Sequence, residues 1–170
     1  MTEVILYING KTDLRVINNH PLSVAALDKP ILSFIQSQSV MTIATCKNDI
    51  PSCATCFYSF LEKYNVLIFK SNRDTKHVSE GLQNNFVSGT IIPDKSEIGK
   101  IKGIQFSGVF IEPAADLCDE FKMAYYKKYP FSVALKGDIW AIELTSIKFT
   151  DNTLGFGKKL RWEKIAIPPF

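Results

Sequence analysis

The chain has 170 residues, a net charge of +3 and a 46% hydrophobic share, which suits one globular core and excludes a disordered chain. That charge is too small to point to nucleic acid as a partner. No apolar run approaches the roughly 20 residues needed to span a bilayer, and Met1 to Gly10 lacks a basic leader, so no membrane partner and a cytoplasmic location are expected.

Val4 to Ile8, Asn9-Gly10 and Leu14 to Ile17 read as a β-hairpin, because Asn-Gly is a favoured type I′ pair. This makes residues 1–27 an N-terminal extension and 28–170 the main domain. A short helix follows, with Asp28 as N-cap, Pro30 in the first turn and Ile31, Phe34 and Ile35 as its apolar face. Val40 to Cys46 is β-branched and apolar, Lys47-Asn48-Asp49 is a turn, and Ser52 to Phe60 returns as a second strand. Glu62 to Asn65 turns again into a third strand, Asn65 to Phe69. The polar loop Ser71 to Asp74 leads to a helix over Thr75 to Gln83, and Phe86 to Ile92 is the fourth strand. Asp94 to Lys102 reads as a loop, and Lys102 to Glu112 as a long strand with Gly103 and Gly108 marking bends or close approaches. Pro113 to Tyr129 carries Leu117, Phe121, Ala124 and Tyr125 at helical spacing. Asp138 to Thr150 and Thr153 to Trp162 are strands joined at Asp151-Asn152. About six long strands, mostly hairpin-linked, predict a mainly β protein, an antiparallel barrel with peripheral helices.

Of four cysteines, Cys53 and Cys56 form a C-x-x-C. On a strand their odd separation puts them on opposite faces, so a redox pair is not expected, and two histidines in the whole chain are too few for a zinc site. They read as small buried hydrophobes without a metal. Two basic clusters stand out, Lys70 to Lys76 at +2 and Lys158 to Lys164 at +3. The first opens a helix beside Ser71 and Thr75, where backbone N–H groups favour an anion such as a phosphate monoester. The residues alone favour a solvated loop with a capped helix there. His77 reads as a half-exposed helical residue, with a phosphate donor or haem ligand as the alternative. No acid–base or nucleophile–base pair stands out, so catalytic residues stay unassigned.

The segment Ile31 to Lys76, with Val40-Met-Thr-Ile-Ala-Thr45 and Phe69-Lys-Ser-Asn-Arg-Asp-Thr-Lys76, resembles the pyridoxamine 5′-phosphate oxidase-like, FMN-binding split-barrel superfamily. The blocks Cys53 to Tyr58, Gly103 to Gly108 and Leu154 to Trp162 look like a short, poorly characterised bacterial subfamily. The resemblance implies a six-stranded split barrel and a homodimer that holds FMN. Ser71, Thr75 and Lys76 match the phosphate side, with Arg73 as helper. The backbone near Phe69 and Lys70 would face the isoalloxazine edge, and Phe57 and Tyr58 lie on a strand that lines the flavin. Gln105 shares a strand face with the position where family members can place a flavin-contacting Gln, and Trp162 is similar to a tryptophan that some members contribute from the partner subunit. Trp162 and Phe156 are accordingly expected to be exposed. The full oxidases carry a basic residue where this sequence reads Thr55-Cys56-Phe57, and an Arg-containing substrate tail. Neither is present, which argues against pyridoxine-phosphate oxidation. The implied function is an FMN-dependent oxidoreductase acting on an unknown small molecule. The alternatives are a non-catalytic flavin- or haem-binding module and a structural homodimer with a decayed cofactor site.

Overall fold

Why the hairpins close into a ring is visible from one long strand that changes partner halfway. The structure, a computed structural model, describes residues 6–8, 11–13, 26–95, 101–152 and 159–164. Leu6–Ile8 (β1) and Lys11–Asp13 (β2) pair antiparallel as a two-stranded sheet of their own. The Asn9-Gly10 pair and the Leu14 to Ile17 segment lie outside the described residues, and the return strand begins at Lys11, earlier than its β-branched residues suggest. The main sheet contains Val40–Lys47 (β3), Ile50–Leu61 (β4), Val66–Ser71 (β5), Phe86–Ile91 (β6), Lys102–Ile111 (β7), Asp138–Asp151 (β8) and Lys159–Glu163 (β9). Its order is β5-β4-β3-β6-β7-β8-β9, and an extra β5–β8 pairing closes six of these strands into a ring. β8 pairs with β5 from Asp138 to Glu143 and with β9 from Ser146 to Thr150. The register against β7 shifts between Ser107 and Gly108, close to that change of partner. Gly108 permits it, since a Cβ there would lie 2.6 Å from the Glu143 carbonyl oxygen.

The tight turns follow from local chemistry. Asn48 and Asp49 take φ of 51° and 62°, the type I′ geometry that suits a twisted hairpin. Asn65, at φ 51°, ends the short 3-10 turn Glu62–Tyr64 before β5.

Two cores lie on either side of β5 and the first half of β8. Leu67, Phe69, Trp140 and Ile142 point into the ring, while Val66, Ile68, Ile139 and Ala141 point outward. The outward set is covered by Phe121 and Tyr125 of Ala115–Lys128 (α3). Burial on both faces explains why β5 reads as an unbroken apolar run. Lys29–Ser37 (α1) sends Ile31, Phe34 and Ile35 into the inner core, with the Phe34 ring 5.2 Å from that of Phe149. Lys76–Gln83 (α2) buries Val78 and Gly81, the latter against Phe110. Phe149 pairs with Ile104 near the start of β7, and Phe110 stands near its end. The two helices therefore close opposite ends of the ring.

Two expectations are corrected. Cys53 is exposed and only Cys56 is buried, because β4 alternates and α2 covers one of its faces. Trp162 is 7% exposed and sits in the inner core, on the β9 face that pairs with buried Ile147. Phe156 lies outside the described residues.

Candidate functional site

The junction of β5 and α2 collects most of the polar chemistry. Ser71 ends β5, and its Oγ lies 3.1 Å from Thr75 Oγ1. Thr75 occupies the N-cap position of α2, but its hydroxyl donates to the Asn72 carbonyl at 2.8 Å and caps no N–H. The first intrahelical bond there runs from the Ser79 N–H to the Thr75 carbonyl. The N–H groups of Lys76, His77 and Val78 thus start the helix without a side-chain cap, which leaves donors and the positive end of the helix dipole at this corner.

His77 stands in the same corner. Its Nε2 is 3.5 Å from Thr75 Oγ1 and 3.9 Å from Cys56 Sγ, and its ring packs 6.1 Å from that of Phe69. Burial holds the imidazole below its ordinary pKa, against an opposing pull from the Glu80 carboxylate. The ring is therefore neutral near pH 7. Burial pushes the Cys56 thiol up to about 11, so it stays protonated and is no nucleophile.

Glu80 anchors the helix from beneath. Its carboxylate accepts hydrogen bonds from Ser52 at 2.5 Å and Thr45 at 2.6 Å, a cross-strand pair of β3 and β4. These hydroxyls hold its pKa below the usual carboxylate range. Lys76 is 68% exposed and only loosely paired with Glu80, at 3.8 Å. Its ammonium is available to a ligand.

The other residues singled out in the sequence fall in different places. Phe69 and Tyr58 are fully buried in the inner core, with the Tyr58 hydroxyl donating to the Ile35 carbonyl at 2.6 Å. Their side chains face away from a ligand outside the ring. The Lys70 ammonium is held by the carbonyls of Leu135 at 2.7 Å and Ser132 at 2.9 Å and by the Tyr126 hydroxyl at 3.2 Å. Arg73 pairs with Glu112 and lies over the Trp140 ring. Phe57 is exposed and packs 5.6 Å from the Tyr129 ring. Gln105 is exposed on β7 and accepts from Lys148 at 3.1 Å. It lines a shallow outer groove of about 490 Å³ together with Thr42, Ser88, Lys148 and Arg161. Ser71 pairs with Asp138 and Gln105 with Lys148, at opposite ends of β8. Ten residues of strand separate those two positions, roughly 33 Å of path. The site residues therefore form two groups on one protomer. Glu80 was missed in the sequence, because the hydroxyls that meet it come from strands 28 and 35 residues away, whereas His77 is the half-exposed helical residue expected.

No protein-family model matches the chain. A UPF0306 protein of Photorhabdus laumondii is 37% identical over 131 residues, covering 77% of this chain and 92% of that one. Among solved structures, a heme-binding protein of Mycobacterium smegmatis superposes with a TM-score of 0.66 at 14% identity, over 76% of this chain but only 55% of its own. A FAD-binding protein of Mesorhizobium loti gives a TM-score of 0.61 at 14% identity, over 76% of this chain and 98% of that one. A putative pyridoxamine 5′-phosphate oxidase of Listeria innocua gives 0.56 at 13% identity, over 71% and 94%. Identities this low speak for the fold alone. No helix among the described residues is long and apolar enough to cross a membrane. The ring closed by β8 has the split-barrel fold of the pyridoxamine-phosphate-oxidase-like proteins, and the chain belongs to the UPF0306 family.

Proposed function

We propose that this protein is a homodimeric FMN-binding flavoprotein and an oxidoreductase acting on a small molecule. The observation that carries the reading is the uncapped start of α2, where two hydroxyls lie 3.1 Å apart and the exposed Lys76 opens the helix. A phosphate monoester carries close to two negative charges and several acceptor oxygens, which such a corner suits. Ser71, Lys76 and the first N–H groups of α2 would hold the phosphate, with Thr75 joining them once its hydroxyl turns from the Asn72 carbonyl. The backbone of Phe69 and Lys70 would bound the flavin ring, since their side chains are committed elsewhere. When bound, the flavin supplies the redox chemistry, and the protein supplies binding, orientation and water exclusion.

The homodimer is supported by the separation of the site residues into two groups. Ser71 and Gln105 lie toward opposite ends of β8, and a second copy presenting its β7–β9 face to the first copy's corner would bring both groups to one flavin. Exposed Phe57 and Phe86, 52% and 61% accessible, are consistent with a further buried face. The cytoplasm remains the expected location.

The test is the absorbance spectrum of the purified protein before and after adding FMN, with its mass from light scattering. Bands near those of bound flavin and a mass of two chains are expected. A Soret band without flavin bands would favour a haem-binding module, for which neutral His77 is the nearest ligand. Absence of binding in a stable dimer would favour the decayed site, in line with the missing basic residue at Thr55 to Phe57.

A further inference from the structure

The loop between Ser71 and Thr75 is held from behind by side chains that no ligand would touch. Trp140 is fully buried, and its indole N–H donates to the Ser71 carbonyl at 3.0 Å. The Arg73 guanidinium lies 5.0 Å from the centre of the same indole and is paired with Glu112, just beyond β7. Gly137, at φ +122°, brings the start of β8 against the loop, and a Cβ there would meet the Ser71 carbonyl carbon at 3.2 Å and Asn72 Oδ1 at 3.3 Å. Within the loop, the Thr75 N–H and hydroxyl both donate to the Asn72 carbonyl, at 3.1 Å and 2.8 Å. Three contacts from β8 and the end of β7 thus fix one short loop.

We propose that Trp140, with Gly137 and the Arg73–Glu112 pair, is a positioning residue that sets the spacing of the Ser71 and Thr75 hydroxyls for a phosphate monoester. The inference rests on the phosphate-corner reading above, and it gives Arg73 a role different from direct phosphate contact. The indole contributes more than volume. A buried indole N–H requires an acceptor, and the acceptor here is the carbonyl of the residue that carries one of the two hydroxyls. Stacking the guanidinium on the indole face, with its charge taken up by Glu112, keeps the loop closed over β8.

The experiment is fluorescence titration of FMN and of riboflavin, which lacks the phosphate, into wild type, Trp140→Phe, Glu112→Gln and Phe149→Leu, with thermal melts of each. Trp140→Phe keeps an aromatic ring under Arg73 but removes the donor, and is expected to weaken FMN about three- to tenfold while leaving riboflavin unchanged. Glu112 is half exposed, so Glu112→Gln folds and is expected to weaken FMN about two- to threefold. Phe149→Leu lies at the far end of the ring and is expected to lower Tm without altering the FMN-to-riboflavin ratio. If wild type prefers FMN and neither Trp140→Phe nor Glu112→Gln changes that ratio, the positioning role is wrong and the phosphate corner stands. If Trp140→Phe weakens both ligands equally, Trp140 is only a core residue and the proposal fails. If wild type shows no preference for FMN, the phosphate corner and the positioning role both fail.

Discussion

At the α1 end of the ring the closure is apolar, and at the α2 end it is mostly polar. α1 inserts Ile31, Phe34 and Ile35, and its N-cap Asp28 makes no side-chain capping bond. α2 inserts only Val78 and Gly81 and is held instead by Glu80 on the Thr45–Ser52 pair. The α1 end has an opening of about 390 Å³ lined by Phe34, Ser37, Lys102 and Asp151, so the phosphate reading of the α2 end rests on its hydroxyl pair and exposed lysine rather than on room. Both helices start without a side-chain cap, but α2, tethered through one carboxylate in its middle, adds a hydroxyl pair and a loosely paired lysine at its first turn.

The sharpest way to break this comparison is at the apolar end. Phe34→Ala should destabilise by about 3–5 kcal/mol through the cavity it leaves, read by urea denaturation, while the folded fraction keeps its FMN affinity. A loss of binding in that folded fraction would show that the two ends are not separable. At the polar end, Lys76→Ala should weaken FMN about ten- to hundredfold with Tm nearly unchanged and riboflavin binding intact, as measured by equilibrium dialysis. Gly81→Ala probes the fit of α2, since its Cβ would lie 2.7 Å from Phe110 Cδ2. Overpacking of this kind should cost about 1–3 kcal/mol, and a melt as stable as wild type would mean that Phe110 moves freely.

The smallest effect is one of pH. Glu80 titrates below its ordinary value because Ser52 and Thr45 donate to its carboxylate. A depressed carboxylate stabilises the fold above its unfolded pKa, near 4.3, and that contribution disappears as pH falls through the lower folded value. His77 is depressed as well, by burial. Its neutral form is favoured in the fold, so stability also declines as pH drops below the unfolded imidazole value, near 6.5. Melts of Glu80→Gln and His77→Gln from pH 7 down to 3 should each show a shallower fall in Tm than wild type, in the acidic and near-neutral parts of the range respectively. Curves parallel to wild type would remove these groups from the account.

Much of the frame was legible because it rests on local signals. The Ile31, Phe34 and Ile35 spacing marked α1, and Asn48-Asp49 marked a turn whose φ values are 51° and 62°. The alternation in Lys159–Glu163 also placed Leu160 and Trp162 on one face, so the burial of Trp162 was readable despite the expectation of an exposed ring. The closure of the ring by β5 and β8 was less accessible, since strands about 70 residues apart pair by tertiary context rather than by turn chemistry. The site was legible only in part. Ser71, Thr75 and Lys76 cluster in sequence and in space, whereas Arg73 and Lys70 belong to the same charge run and are drawn off to Glu112 and to the carbonyls of Ser132 and Leu135. A charge run reports net sign but not which cations the fold consumes. Glu80 carried no local mark beyond its i, i+4 spacing from Lys76.

The central claim is that the start of α2 recognises a phosphate. Isothermal titration of wild-type protein with FMN and with riboflavin under identical salt tests it most directly. The account predicts FMN at least tenfold tighter, with the difference shrinking as salt rises. Equal affinities for the two ligands would contradict it.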